Sequence, residues 1–277
     1  MNRRVTKRSK TSISPIIIIF TIIIALVLSV TLNSCTKRKS DFECNHNTSE
    51  IKTTEKSAVE TVVSFAADNG LALEDWPTEI IELLKKNPET EDFVLNYPLL
   101  KDTYQDIDLS EYADTDEVPL FMQWDKRWGY TPYGEDMLAI SGCGPTCLSM
   151  VCVHLLNDTS LNPRVIAQFS EENDFCAPGD GTKWTLISEG GVMLGLNVEE
   201  VYLDESNISQ ILESGNPIIC AMGPGDFTSS GHYIVLTDYV DGMIKINDPN
   251  SIANSEKLWS YDEIVGQIDN LWECSLY

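Results

Sequence analysis

The apolar pattern of this chain changes period near Gly215 and Pro217. Before that point apolar residues recur at helical spacing. Val59, Val62, Val63 and Ala66 mark a helix over 56–68, closed by Asn69-Gly70. Ile80, Ile81, Leu83 and Leu84 mark a second after Trp76-Pro77, and a weaker third runs through Phe93 and Val94 to Tyr97-Pro98. Leu148, Val151, Cys152, Leu155 and Leu156 give one apolar helix face. Further helices are expected after Asn162-Pro163, from Trp184 towards Gly195, and over 204–214. Beyond Pro217 the runs 218–222, 233–237 and 243–247 read as strands, the last two joined by a turn containing Asp241-Gly242. Helices first and strands after make an α+β fold rather than a doubly wound one.

The N-terminus is a separate matter. Residues 1–15 carry five cations, and 16–32 follow without a charge. Seventeen uncharged, mostly apolar residues span about 25 Å as a helix, close to a hydrocarbon core. Lys37, Arg38 and Lys39 follow the run, so the cation excess lies on its N-terminal side. That bias places residues 1–15 in the cytoplasm and the bulk of the chain outside, as a single-pass protein of the cell membrane. A signal segment is the competing reading of 16–32. Leu32-Asn33-Ser34-Cys35 also looks like a lipoprotein cleavage site, which would give a lipid anchor at Cys35 instead. Residues 33–55 are a polar linker. Residues 56–117 form a helical N-terminal extension, expected to pack on the domain over 118–277; a detachable pro-segment is the other reading.

Beyond residue 40 the chain holds 11 Lys/Arg against 43 Asp/Glu, a net charge of −32. Such a surface repels nucleic acid and anionic lipid, and excludes both as ligands.

Chemistry concentrates at Ser141-Gly142-Cys143-Gly144-Pro145-Thr146-Cys147-Leu148. Pro145 suits the first helical turn, where its missing N–H costs nothing. Cys143 therefore sits at the start of a buried helix, where free N–H groups and the positive dipole end favour a thiolate. Gly142 and Gly144 are expected to leave the backbone open to a closely approaching substrate. The eight cysteines lack the paired spacing of a zinc site, and three of them lie on one helix, so neither a metal nor a disulfide framework is indicated. No cofactor is called for.

A thiol nucleophile needs a base, and the base an orienting group. Of three histidines, His46 lies in the linker. His154 stands eleven residues along the helix from Cys143, about 16 Å away. His232 remains, at the start of the strand pattern Tyr233-Ile234-Val235-Leu236. His232 and Asp248 are each eight residues from Val240. A hairpin centred there with a loop of three or five residues sets them opposite each other. A two-residue turn at Asp241-Gly242 would instead oppose His232 to Ser251.

Gln123-Trp124-Asp125, Gly142-Cys143-Gly144-Pro145-Thr146, Gly231-His232-Tyr233 and Asn247-Asp248-Pro249 stand in this order and spacing. Together they resemble the papain-like cysteine peptidases of the double-glycine leader peptidase family, most closely its stand-alone secreted or membrane-anchored bacterial branch. The resemblance implies a papain-like fold, a helical half carrying the nucleophile and an antiparallel sheet carrying His and Asp. It implies Cys143 as nucleophile, His232 as base, Asp248 as its orienter and Gln123 as an oxyanion-hole donor beside the Cys143 N–H. A side-chain amide and a helix-terminal N–H suit a developing oxyanion. Members fused to export transporters cut leader peptides in the cytoplasm; this chain has no Walker motif and is expected to face outward, so that substrate does not carry over. The expected function is an extracytoplasmic, membrane-anchored cysteine peptidase acting on a peptide or protein. Two alternatives stand beside it: a non-catalytic binding or scaffold protein on the same fold, and a thiol acyltransferase using the same triad.

Overall fold

The computed structural model describes residues 58–277 apart from 178 and 180, and residues Thr61–Tyr277 make one unit. The basic leader, the apolar run 16–32, Cys35, Cys44, His46 and the linker lie outside the described residues. Among the described residues, no helix is long and apolar enough to cross a membrane.

Helix α1 runs over 58–69. Helix α2 (Thr78–Lys86) buries Ile80 and Leu84, four residues apart on one face. Helix α3 (Glu91–Leu100) continues through Pro98, although the sequence suggested an end at Tyr97-Pro98. Pro98 lacks the N–H that would bond the Val94 carbonyl. That carbonyl accepts from Trp76 Nε1 at 2.7 Å, so it keeps a partner and the helix survives.

Helix α4 (Cys143–Leu156) is buried at every residue from Gly144 to Val153. The expected single apolar face is thus a helix enclosed all round. Helix α5 (Pro163–Glu172) packs beside it, its N-terminus capped by Asn162, whose Oδ1 accepts from Val165 N at 3.2 Å. The helix expected after Trp184 is present as a π-turn, Leu186–Gly190, continuing as Gly191–Met193. Asp204 caps helix α6 (Glu205–Glu213). Helix α7 (Ile252–Glu256) is a single short turn.

Six antiparallel strands form the main sheet: β1 (Asn197–Glu200), β2 (Ile218–Met222), β3 (His232–Val240), β4 (Met243–Asn247), β5 (Leu258–Trp259) and β6 (Ile268–Ser275). Their spatial order is β1-β6-β2-β3-β4-β5. Strand β6 was not legible from alternation, because a bulge between Ile268 and Asn270 interrupts its period. Every residue of β2 is buried, so both faces of the sheet are covered. On one face Ile219, Ala221, Tyr233 and Val235 join Cys147, Met150 and Val151 of α4. On the other, Ile218, Cys220, Ile234 and Leu236 join Ile208 and Leu212 of α6.

The β3–β4 hairpin corrects the expected register. Its turn is the two-residue one: Val240 pairs with Met243, and Asp241 (φ 53°) and Gly242 (φ 82°) are both left-handed. A bulge between Leu236 and Asp238 then shifts the ladder by one, so Leu236 faces Ile246 and Val235 faces Asn247. One further step would set Asp248 against Ile234. His232 therefore opposes neither Asp248 nor Ser251.

Candidate active site

Cys143 is the first residue of α4, and Gly142 caps the helix without a side chain. The chain reaches this point through a helical turn, Leu138–Ser141. Thr146 closes the first turn by donating its N–H to Gly142 O at 3.1 Å and its hydroxyl to the same oxygen at 2.8 Å. The first N–H groups of a helix have no acceptor within it, and Cys143 is the first residue at that end. Cys143 is partly exposed. It lines a cleft of about 530 Å³ together with Thr182, Trp184, Gly231, His232 and Asp269.

The two glycines flanking Cys143 have a different reason from the one expected. A Cβ on Gly142 would lie 2.3 Å from Leu138 Cδ2, and a Cβ on Gly144 would lie 2.7 Å from Thr182 Cγ2. The neighbouring protein already fills that space, so these positions are small for packing rather than for substrate approach. Thr182 is itself tied down: its hydroxyl pairs with Tyr133 Oη at 2.7 Å, and Tyr133 pairs with Ser170 Oγ at 2.9 Å.

His232 opens β3 and is 8% exposed. Its Nε2 meets Asp248 Oδ1 at 2.7 Å, which leaves Nδ1 for the other neighbour. That neighbour is Cys143, whose sulfur interacts with the ring. Burial pulls the imidazole's pKa down, but the bonds to Asp248 and Cys143 outweigh it and raise the value to about 10. The imidazolium is the favoured form of the ring beside the buried Asp248 carboxylate.

Asp248 follows directly on β4 and is 1% exposed. A buried carboxylate needs donors. Oδ1 accepts from Asn250 N at 2.9 Å as well as facing His232, and Oδ2 accepts from Asn254 Nδ2 at 2.8 Å. Asp248 N donates to Ser255 Oγ at 2.9 Å. The two residues that ladder register does not oppose are thus joined by reach, from strand end to loop.

Gln123 is 3% exposed, and its backbone N–H donates to Pro249 O at 2.7 Å. Its Nε2 donates to Ala139 O at 2.8 Å and to Ile140 O at 3.4 Å, while Oε1 is buried with no partner. The side chain is therefore held just ahead of Cys143, but it is not one of the cleft-lining residues. His154 sits near the far end of α4, as its sequence distance required, with burial lowering its pKa.

The other described cysteines are free as well: Cys147, Cys152, Cys220 and Cys274 are buried and Cys176 is partly exposed. Burial pushes all five thiols up.

Sequence reasoning missed Asn250 and Asn254. An Asp with an Asn two residues on is a recognisable turn signal, so Asn250 was within reach. Asn254 had no local signal, because its bond to Asp248 depends on how α7 folds back.

Among curated proteins, none matches the chain. Two solved structures are similar to part of this chain. One is the peptidase domain of Streptococcus ComA, a bifunctional ABC transporter involved in a quorum sensing pathway; it is 20% identical, covers 58% of this chain and 99% of that one, and has a TM-score of 0.41. The other, a Bacillus anthracis protein described as C39-like, is 12% identical, covers 58% of this chain and 96% of that one, and has a TM-score of 0.40. Residues 115–275, more than half of the sequence, match the profile of a single family, and the chain belongs to that family, Peptidase_C39 like.

Proposed function

We propose that the chain is a cysteine peptidase with Cys143 as nucleophile, His232 as base and acid, and Asp248 as the orienting carboxylate. The observation that supports this most is His232 standing between a helix-start thiol and a buried carboxylate 2.7 Å from its Nε2. The thiolate attacks the carbonyl carbon of a peptide bond and forms a C–S bond. As the C–N bond breaks, His232 Nδ1 gives its proton to the leaving amine, and a thioester remains on Cys143. Water then attacks the thioester, His232 takes its proton, and the carboxylic acid leaves as the C–S bond breaks. Asp248 holds the ring and stabilises the imidazolium throughout.

The developing oxyanion is assigned to the Cys143 N–H and to Gln123 Nε2. Of the two Gln123 contacts, the 3.4 Å one to Ile140 O is the weaker, so it is the one that an oxyanion would replace. The substrate is a peptide or protein. The domain is proposed to stand outside the membrane, held by residues 16–32 or by a lipid on Cys35.

The test uses the purified full-length protein, a peptide library and a thiol-directed electrophile at neutral pH. Wild type is expected to cleave a subset of the library and to label at Cys143 ahead of Cys176 and the buried thiols; Cys143→Ala is expected to do neither. Turnover that survives Cys143→Ala would end the peptidase reading. Labelling without turnover of any peptide would instead leave a binding protein on this fold.

A further inference from the structure

The family match begins at residue 115, yet the helical segment before it reaches the proposed triad. Between α2 and α3 the chain makes a 3₁₀ turn, Pro88–Thr90, capped by Asn87, whose Oδ1 accepts from Glu89 N at 3.0 Å. Thr90 is fully buried and donates its hydroxyl to Asn87 O at 2.7 Å, which fixes the turn. Two side chains project from it onto the loop that carries Asp248. Asn87 Nδ2 donates to Asn250 O at 2.6 Å. The Glu89 carboxylate accepts from Ile252 N at 2.7 Å, from Ala253 N at 3.1 Å and from Ser251 Oγ at 3.3 Å.

These are the first N–H groups of α7. A five-residue helix is far below the length that holds itself together, so its shape depends on external partners. A carboxylate across its first donors supplies them. The same turn carries Asn254, whose N–H donates to the capping Ser251 Oγ at 3.2 Å and whose Nδ2 holds Asp248 Oδ2 at 2.8 Å. Asn250, gripped through its carbonyl by Asn87 and by Trp124 Nε1 at 3.2 Å, holds Asp248 Oδ1 through its own N–H. The two bonds that aim the carboxylate at His232 thus come from the two pieces that the segment before residue 115 clamps.

We infer that the turn Pro88–Thr90 belongs to the catalytic apparatus, and that Glu89 is a positioning residue which holds Asp248 in register with His232 through α7. This rests on the triad proposed above. It also makes the segment over 78–100 an integral support of the site rather than a removable pro-segment. Neighbouring Glu91, two residues on at the start of α3, is exposed and has no part in these contacts.

The titratable groups that face His232 are Cys143 at the start of α4 and Asp248 after β4; Asp269 on β6 lines the same cleft. A loosened Asp248 therefore has a signature at His232. The full-length protein is compared with Glu89→Ala, Glu89→Gln, Asp248→Asn and, as control, Glu91→Gln. Three quantities are read: the His232 ring titration by NMR, kcat and KM, and the melting temperature.

In Glu89→Ala the His232 midpoint is expected to fall by about one pH unit, a tenfold loss of proton affinity. Turnover is expected to drop by up to about 10²-fold in kcat with little change in KM, since the geometry and not the cleft is disturbed. Glu89→Gln keeps one accepting oxygen and is expected to lie between; it also serves if the alanine variant folds poorly. A midpoint that moves in Asp248→Asn but stays at its wild-type value in Glu89→Ala and Glu89→Gln, whatever their melting temperatures, overturns the role of Glu89 alone. A midpoint unmoved even in Asp248→Asn overturns the triad and this inference with it.

Discussion

His232 Nε2 and Asp248 Oδ1 are 2.7 Å apart, although the ladder that carries His232 sets neither residue opposite the other. Ladder pairing ends at Val235 and Asn247, and Asp248 already belongs to the turn that follows. Its direction is set by Asn250, Asn254 and Ser255 rather than by sheet pleat. A carboxylate placed this way is only as well aimed as its loop.

Asp248→Asn keeps the side-chain shape but offers His232 an amide, which can leave the ring in the wrong tautomer. In a Ser-His-Asp enzyme the comparable change costs about 10⁴ in kcat. A smaller loss is expected here, because a thiol at a helix start needs less help from its base. Asn254→Ala removes one charge-assisted bond, of about 1.5–3 kcal/mol, from Asp248 and is expected to lower turnover by roughly tenfold or more. Steady-state kinetics on both variants, with circular dichroism to confirm the fold, checks the order: Asp248→Asn below Asn254→Ala below wild type.

His232 has a pKa raised to about 10, above the ordinary 6.5. The folded chain therefore binds this proton more tightly than the unfolded chain does. Its stabilising contribution is complete below about pH 6.5 and is lost as pH rises through about 10. Part of the rise comes from Cys143, so Cys143→Ala should lower it. Melting temperatures measured from pH 6 to pH 10 are expected to fall more steeply for wild type than for Cys143→Ala. Parallel curves would show that the thiol and imidazole are not coupled.

Gln123→Ala deletes one donor assigned to the oxyanion and leaves Cys143, His232 and Asp248 in place. The expected cost is about 10²–10³ in rate, with thiol labelling of Cys143 retained. Because Nε2 also holds Ala139 O at 2.8 Å, a modest drop in melting temperature should accompany it. Wild-type turnover in Gln123→Ala would remove Gln123 from the hole.

Gly144→Ala places a methyl 2.7 Å from Thr182 Cγ2. Thr182 cannot yield freely, since it is bonded to Tyr133. Overpacking of this kind costs about 1–3 kcal/mol. Chemical denaturation of Gly144→Ala, Thr182→Gly and the double variant tests the cause. The two changes should be less than additive in their destabilisation, because only loss of the whole side chain at 182, whose Cβ would itself lie 2.8 Å from the new methyl, relieves the clash. Simple additivity would place the strain elsewhere.

Spacing alone located the longer helices and central strands, the cysteine at a helix start, the histidine at a strand start and a turn containing Asp241-Gly242, though not the length of its loop. These depend on residues a few positions apart: hydrophobic period, caps and turn chemistry are local properties. What the tertiary structure decided was long-range. Helix α3 runs through Pro98 because Trp76 takes up the freed carbonyl of Val94. Gly142 and Gly144 are small because Leu138 and Thr182 press on them. The two-residue turn at Asp241-Gly242 set a register that does not oppose His232 to Asp248, the bulge after Leu236 recovered only one step of it, and a loop restored the contact. That loop is held in turn by Asn87, 163 residues from its partner Asn250. No local pattern encodes such a bond, because its two halves meet only once the sheet, α4 and the segment before residue 115 have packed together.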